Sequence, residues 1–319
     1  MTNYTRTNDT KANKRAGFFV RLGKDFKRNY ILYIMIAPVV AYYIIFAYVP
    51  MYGVQIAFRN FIPRLGFWNS PWVGLAHFTR FFNSFNFTNL LFNTIAISIY
   101  SLLASFPIPI IFALLLNYLR GKPFRKTIQM VSYAPHFISI VVLCGMIVIF
   151  MNPDTGIINQ IITFFGGESV AFLSNPAYFR SIYVWSGVWQ NMGFASIIYI
   201  AALSGVDHEM HEAAIIDGAS KMQRMWYIDL PSIKPTIVIL LIFNIGGLMG
   251  VDFQKILLLQ NSLNMTTSDV LQTYIFRVGL LNSDFGFSTA VGLFNSVINV
   301  VLLVSANAIV KKTTSTGLW

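Results

Sequence analysis

Long apolar runs separated by short polar stretches dominate this chain of 319 residues. A helix that crosses a bilayer needs ~20 mostly apolar residues. Six runs meet that length, at 30–49, 90–117, 127–151, 180–203, 235–259 and 286–310. They predict an all-α integral membrane protein of six transmembrane helices. The second run is long enough to tilt or bend, and it contains Pro107 and Pro109. These read as a tolerated kink, with a gating hinge as the alternative. Between the fourth and fifth runs the pattern changes. Residues 211–235, HEAAIIDGASKMQRMWYIDLPSIKP, are polar, helix-forming and punctuated, as expected of a docking surface rather than a bare connector.

Composition supports the membrane reading. The chain is 55% hydrophobic and 11% charged, with a mean hydropathy of +0.60, outside the range of an ordinary soluble domain. The first 29 residues are hydrophilic and basic, and no A-x-A-like site follows the first apolar run. The first span is therefore expected to stay in place as an anchor rather than leave as a signal peptide.

Charge sets the expected orientation. With six spans both termini share one side. That side receives Arg6, Lys11, Lys14, Arg15, Arg21, Lys24, Lys27 and Arg28, then Arg120, Lys122, Arg125 and Lys126, then Lys221, Arg224 and Lys234, and finally Lys311 and Lys312. The other side keeps Arg59, Arg64, Arg80, Arg180, Lys255 and Arg277. The positive-inside rule puts both termini and the loop 204–235 in the cytoplasm. The net charge of +11 follows from this asymmetry. It suggests an arm lying beside anionic lipid rather than a nucleic-acid partner. The single cysteine, Cys144, falls inside the third span and reads as a packing residue.

The expected organisation is a basic cytoplasmic arm at 1–29 (with an interfacial helix at 18–28) and a first span with an external segment at 30–89. A helical core at 90–310 carries the loop 204–235, and a cytoplasmic tail occupies 311–319. The external segment is rich in aromatics, including Phe67, Trp68, Trp72, Phe78, Phe81, Phe82, Phe85 and Phe87. Such residues suit a membrane interface or a cover over the bundle. A short helix is expected near 156–165.

Within the loop, Gly205 suits the end of the fourth span and Asp207 caps a helix starting at His208. Ala213, Ala214, Ile215 and Ile216 form a compact apolar surface. Asp217-Gly218 makes a turn, Ser220 caps a second helix through about Tyr227, and Pro231 and Pro235 end it. Periodicity alone leaves a plain interfacial hairpin open.

Glu212-Ala213-Ala214, Asp217-Gly218-Ala219, Ile228, Leu230-Pro231 and Pro235 resemble the EAA signature of ATP-binding-cassette importer permeases. Trp226 stands where that signature usually has phenylalanine. Trp189, Ala201-Ala202-Leu203 and Asp207 precede it as in oligosaccharide permeases. Thr273-Tyr274, Arg277-Val278-Gly279-Leu280, Thr289 to Phe294 and Leu318-Trp319 resemble the maltose-type superfamily, in the branch with LplB-like polysaccharide permeases. The resemblance implies a type I importer transmembrane fold with a cytoplasmic coupling helix. It implies a non-catalytic permease subunit that imports oligosaccharides or polysaccharide fragments by alternating access. Its implied partners are a second related permease, two ATPase subunits holding ATP and Mg, and an external sugar-binding protein. By the same resemblance Glu212 would meet basic residues of the ATPase. Ala213 and Ala214 would allow close approach, Gly218 the turn, and Leu230 and Pro231 would fix the second helix to the bundle; Asp217 and Ala219 complete the implied coupling set, and the implied location is a bacterial plasma membrane.

Other patterns are weaker. His208 and His211 are three apart, whereas the helical zinc motif places its histidines four apart, so no metal is expected. No G-x-x-x-x-G-K-[ST] occurs, so no cofactor is expected on this chain and ATP hydrolysis belongs to a partner. Gly246 and Gly250 form a G-x-x-x-G suited to close helix packing. Polar residues inside spans are costly and often functional. His136, Asn295 and Asn299 belong to this class, and Asp252 and Lys255 are placed to pair. Trp185, Trp189, Gln190, Asn191, Asn244 and Asp252 have the stacking and hydrogen-bonding chemistry that binds sugars, and form the candidate substrate pathway. Helix–helix hydrogen bonding is the competing role for each. A permease for osmolytes or peptides, or a secondary transporter, remains as an alternative.

Overall fold

The computed structural model describes residues 25–314. Most of the basic arm, including residues 18–24 of the helix expected at 18–28, and residues 315–319 of the tail lie outside them; residues 25–28 are helical. The described residues are helical throughout, apart from loops and one isolated antiparallel bridge between Arg59 and Trp72. Two compact units, Met1–Gln55 and Ile56–Trp319, divide the chain. The first helix, α1 (Tyr30–Phe58), belongs mainly to the first unit and is long and apolar enough to cross a membrane.

The second unit contains α2 (Ala76–Phe82), α3 (Phe87–Asn117), α4 (Lys122–Phe137), α5 (Ile140–Phe150), α6 (Ile157–Phe164) and α7 (Pro176–Leu203). Beyond these come α8 (His208–Ile216), α9 (Lys221–Ser232), α10 (Lys234–Gly246), α11 (Phe253–Leu259), α12 (Leu271–Phe276) and α13 (Phe285–Thr314). Of all these and α1, three helices are long and apolar enough to span a membrane alone, and five spans result if two bent pairs are counted. The 28-residue α7 would reach ~42 Å at 1.5 Å per residue. It is interrupted by polar side chains and does not match the others in apolarity.

Three expectations change. The run 127–151 is not one straight helix: α4 and α5 meet at 97°. Pro135 tightens the end of α4 into a 3-10 turn, and Ser139 then adopts an extended backbone and caps α5 by accepting from the Val142 N–H. The run 235–259 is broken too, because α10 stops at Gly246 and α11 starts only at Phe253. Gly250 therefore lies beyond the helix, and the G-x-x-x-G is no helix face; Gly246 alone makes the close contact, against Leu303 of α13. Finally, Pro231 and Pro235 do not end α9 where expected. The backbone widens into a π turn at Met225–Asp229, so the Leu230 N–H reaches Met225 O and the helix runs through Pro231. Pro235 instead opens α10, where its missing N–H costs nothing. In α3 the prolines are tolerated: the Phe106 N–H still reaches Leu102 O at 3.1 Å, and the run continues.

The helix α7 sits at the centre of this unit. Its Phe179, Tyr183, Val184 and Val188 pack with Ile97, Leu143 and Ile256 in one cluster. Its other end, Tyr199 and Leu203, packs with Ile110, Leu114 and Ile233. The aromatic segment partly caps a third cluster, where buried Phe81 meets the rings of Phe87, Phe287 and Phe294. Trp68, Trp72 and Phe85 stay exposed. Four of the basic residues expected outside the cytoplasm make side-chain bonds within the chain. Arg59 reaches the carbonyls of Trp68 and Ser70, Arg80 pairs with Asp284, Arg180 donates to Asn93, and Arg277 pairs with Asp269.

Gly193 lets α7 touch α4, since a Cβ there would collide with the backbone carbonyl of Ser132. Gly193→Ala should therefore destabilise the purified protein by at least the ~1–3 kcal/mol typical of overpacking. Gly292→Ala on α13 meets nothing within 4 Å and should be neutral or stabilising by up to ~1 kcal/mol. Thermal unfolding in detergent checks the pair; the reverse order would contradict this packing.

Candidate functional site

The polar loop folds into a knob of two helices. Asp207 accepts from the Glu209 N–H at 2.9 Å and starts α8. At the other end the Gly218 N–H returns to Ile215 O and the Ala219 N–H to Ala214 O. This crossed pair is the Schellman stop, and it needs the left-handed φ of +79° that Gly218 supplies. Ser220 then begins α9 through a reciprocal capping box with Gln223. The Asp-Gly-Ala-Ser run is thus a stop signal followed at once by a start signal.

The knob presents Glu212, Ala213, Asp217 and Gly218 to the exterior, with Ala214 and Ala219 half-buried. Ile216 is 86% exposed beside them, a large apolar side chain at the tip. Leu230 packs against the cluster of Ile110, Leu203 and Ile233, whereas Pro231 is exposed. Glu212 lies 3.8 Å from His208 on its own helix, both being open to solvent.

A feature missing from the sequence reading fixes the knob's base. The Asp229 carboxylate is fully buried and receives two contacts: the Tyr118 hydroxyl donates to Oδ2 at 2.6 Å, and His211 Nε2 lies 3.1 Å from Oδ1. Tyr118 follows α3, His211 belongs to α8 and Asp229 to α9, so three segments meet on one carboxylate. The Arg224 guanidinium carbon stands 5.8 Å from the Tyr118 ring centroid. Burial, and then the bond to Asp229, push the Tyr118 phenol well above its ordinary range, so it remains a donor. The sequence signal was a lone carboxylate among apolar neighbours in Ile228-Asp229-Leu230.

Four of the six candidate pathway residues meet elsewhere. Gln190, Asn191, Asn244 and Asp252 line a cavity of about 380 Å³ between α3, α7, α10 and α11. A chamber of about 160 Å³ shares Ser101, Ser105, Tyr183, Asn244 and Asp252 with it. Trp185 and Trp189 lie apart from it, on an almost wholly apolar hollow of about 540 Å³ formed with α5. Trp185 also donates to the Tyr100 hydroxyl at 2.9 Å.

Several of these polar groups already have structural work. Gln190 Nε2 donates to Ile138 O at the α4–α5 bend. Asn191 Oδ1 lies 2.9 Å from His136 Nδ1, and His136 stacks on Phe194 at 3.9 Å. Asn244 donates to Leu240 O on its own helix. Asp252 does not pair with the Lys255 ammonium as expected; its carboxylate caps α11 by accepting from the Lys255 N–H, and the ammonium donates to Tyr183 O at 2.8 Å. Lys255, Ser98 and Ser101 were not read as site residues. Ser98, Ser101 and Ser105 fall at i, i+3 and i+7 on α3, a polar stripe visible in the sequence.

The family described as binding-protein-dependent transport system inner membrane component matches residues 105–315. The chain belongs to that family. It is a membrane component of an ATP-binding-cassette transport system and not itself an enzyme. It is 42% identical to Protein LplB of Bacillus subtilis (strain 168) over 92% of each chain. It is 40% identical to the polygalacturonan/rhamnogalacturonan transport system permease protein YteP of the same organism, over 97% of this chain and 95% of that one. Among solved structures it resembles a chain of a bacterial alginate ABC transporter in complex with an alginate pentasaccharide-bound periplasmic protein. The TM-score there is 0.87 at 40% identity, covering 93% of this chain and 100% of that one.

Removing the Asp229 carboxylate leaves the Tyr118 hydroxyl and His211 without their acceptor. Asp229→Ala should cost about 1–3 kcal/mol and Tyr118→Phe about 1 kcal/mol. The buried Cys144 thiol offers a readout, since it reacts with a thiol dye only on unfolding. Melting curves unchanged in both variants would rule out the clamp.

Proposed function

We propose that this chain is one of two transmembrane subunits of a type I importer for acidic polysaccharide fragments. The observation that carries the reading is its kinship, at 40% identity over more than nine-tenths of its length, with permeases named for polygalacturonan/rhamnogalacturonan and for alginate. The partners would be a second, related permease, two ATPase subunits holding ATP and Mg, and an external binding protein that delivers the glycan. Both termini and the knob would face the cytoplasm, in keeping with the basic residues concentrated there. The cavity lined by Gln190, Asn191, Asn244 and Asp252 would form part of the path, with the tryptophan-lined hollow flanking it.

The knob would couple the ATPase to the path. Glu212 supplies an exposed negative charge for basic residues of the motor. Ala213, Ala214 and Ala219 keep the surface low, and Asp217-Gly218 shapes its tip. Leu230 ties α9 to the bundle, with Pro231 beside it. A knob clamped through Asp229 moves as one piece, whereas a loose loop would absorb the displacement.

Two measurements test this. In proteoliposomes containing the assembled complex, binding protein loaded with oligogalacturonate or oligoalginate should stimulate ATPase several-fold over neutral glycans of equal length. Stimulation by neutral glycans alone would replace the substrate class. Separately, Glu212→Lys and Gly218→Pro should leave the chain in the membrane but reduce transport at least tenfold. Normal uptake in both variants would refute the coupling role.

A further inference from the structure

A buried ammonium that forms no direct ion pair among the described residues stands at the wall of the larger cavity. Lys255 is 3% exposed. Its Nζ donates to Tyr183 O at 2.8 Å and lies 4.9 Å from the centroid of that ring. Among the described residues no carboxylate forms an ion pair with it. Asp252, three residues earlier, uses Oδ1 to cap the helix that carries Lys255. Gly187 leaves the room: a Cβ there would stand 3.2 Å from Nζ.

An ammonium carries three donors, and the Tyr183 carbonyl occupies one. Holding a charge in a poorly polar interior without an opposite charge is costly, and such residues mark the routes of ions and substrates. A second observation concerns the same space. The hydroxyl oxygens of Ser98 and Ser101 are buried and have no hydrogen-bond partner among the described residues. Ser101 lines both chambers and Ser98 the smaller one. Buried hydroxyls are ordinarily satisfied. Here a cation and two unsatisfied hydroxyls border two adjoining chambers with shared lining residues, the larger of which, about 380 Å³, has the size of a ligand pocket.

We propose that Lys255 receives a carboxylate of the passing sugar acid, while Ser98 and Ser101 take hydroxyl groups of the same ligand. The ammonium gains a direct ion pair that no carboxylate among the described residues gives it. Recognition is of charge, so a neutral ester of the same sugar loses the contact. This inference rests on the acidic-glycan reading above.

The test compares uptake of tetragalacturonate with uptake of its methyl ester, each delivered by saturating binding protein to the assembled complex in proteoliposomes. Lys255→Gln should lower the acid-to-ester ratio at least tenfold, and Lys255→Arg should keep it near wild type. An unchanged ratio in Lys255→Gln, or an equal fall for both ligands, would make Lys255 only an anchor between α11 and α7 and overturn the proposal. If Lys255→Gln does not assemble, Gly187→Ala decides, because it crowds the ammonium without removing it. A several-fold fall in the ratio supports the site there, and an unchanged ratio overturns it. Wild-type complex that takes up no galacturonate in either form overturns the acidic-glycan reading and this inference together. Uptake by wild type with no variant effect overturns this inference alone.

Discussion

A helix that breaks inside hydrocarbon exposes N–H and C=O groups that lipid cannot solvate, each costing several kcal/mol. Two apolar runs of this chain do break, and much else in the fold follows from the need to satisfy them. At the first break, Gln190 on α7 donates to Ile138 O and Ser139 caps the next helix. At the second, the Tyr183 hydroxyl accepts the Asp252 N–H, Asn299 accepts the Met249 N–H, and Gln272 donates to Met249 O. Polar side chains on α7 therefore serve both breaks. That accounts for the unusual polarity of the central helix and for its close contact with α4 at Gly193.

The same need decides where a cavity can exist. Irregular backbone at membrane depth is tolerated only where protein covers it or it borders a cavity. The break between Gly246 and Phe253 borders the two adjoining chambers, and the residues that line them include Asn244, Asp252 and Lys255. An unbroken helix over 235–259 would have kept its polar backbone groups to itself. It would have set these side chains around a continuous cylinder instead of opening a pocket against α3 and α7.

What the sequence disclosed depends on how local each signal is. The caps at Asp207 and Ser220 and the turn at Asp217-Gly218 were legible because each is decided within a few residues. The helix at Ile157–Phe164 was legible for the same reason. The bends at Pro135–Ser139 and Gly247–Asp252 were not, because an apolar run looks continuous whether or not its backbone turns. The partners that stabilise a bend lie far away in sequence, as Gln190 does from Ile138. The Asp229 clamp was hidden likewise, since Tyr118 is 111 residues away. Among the candidate pathway residues, chemistry alone grouped six. Helical phase then separated Trp185 and Trp189, which share a face at i and i+4, from Gln190 and Asn191, which lie about 100° and 200° further round the same helix from Trp189.

The two halves of the proposed mechanism are joined covalently. The knob's second helix, α9, passes into α10 through a 62° bend at buried Ile233. The helix α10 then carries Asn244 to the cavity and stops at the break whose far side bears Asp252 and Lys255. At the near end, Asp229 locks α9 to α8 and to the end of α3. A rotation imposed on the knob would reach α10 through the covalent bend at Ile233 and the end of α3 through the Tyr118–Asp229 bond. Those are two of the helices that wall the cavity, and α3 also supplies Ser98 and Ser101. A displacement at the base must change the separation of the serines from the Lys255 ammonium unless α3, α10 and α11 move as one body. The helical break at residues 247–252 prevents that, because it uncouples α11 from α10 and leaves it bonded to Tyr183 of α7. In the proposed mechanism the cavity walls would separate at this break.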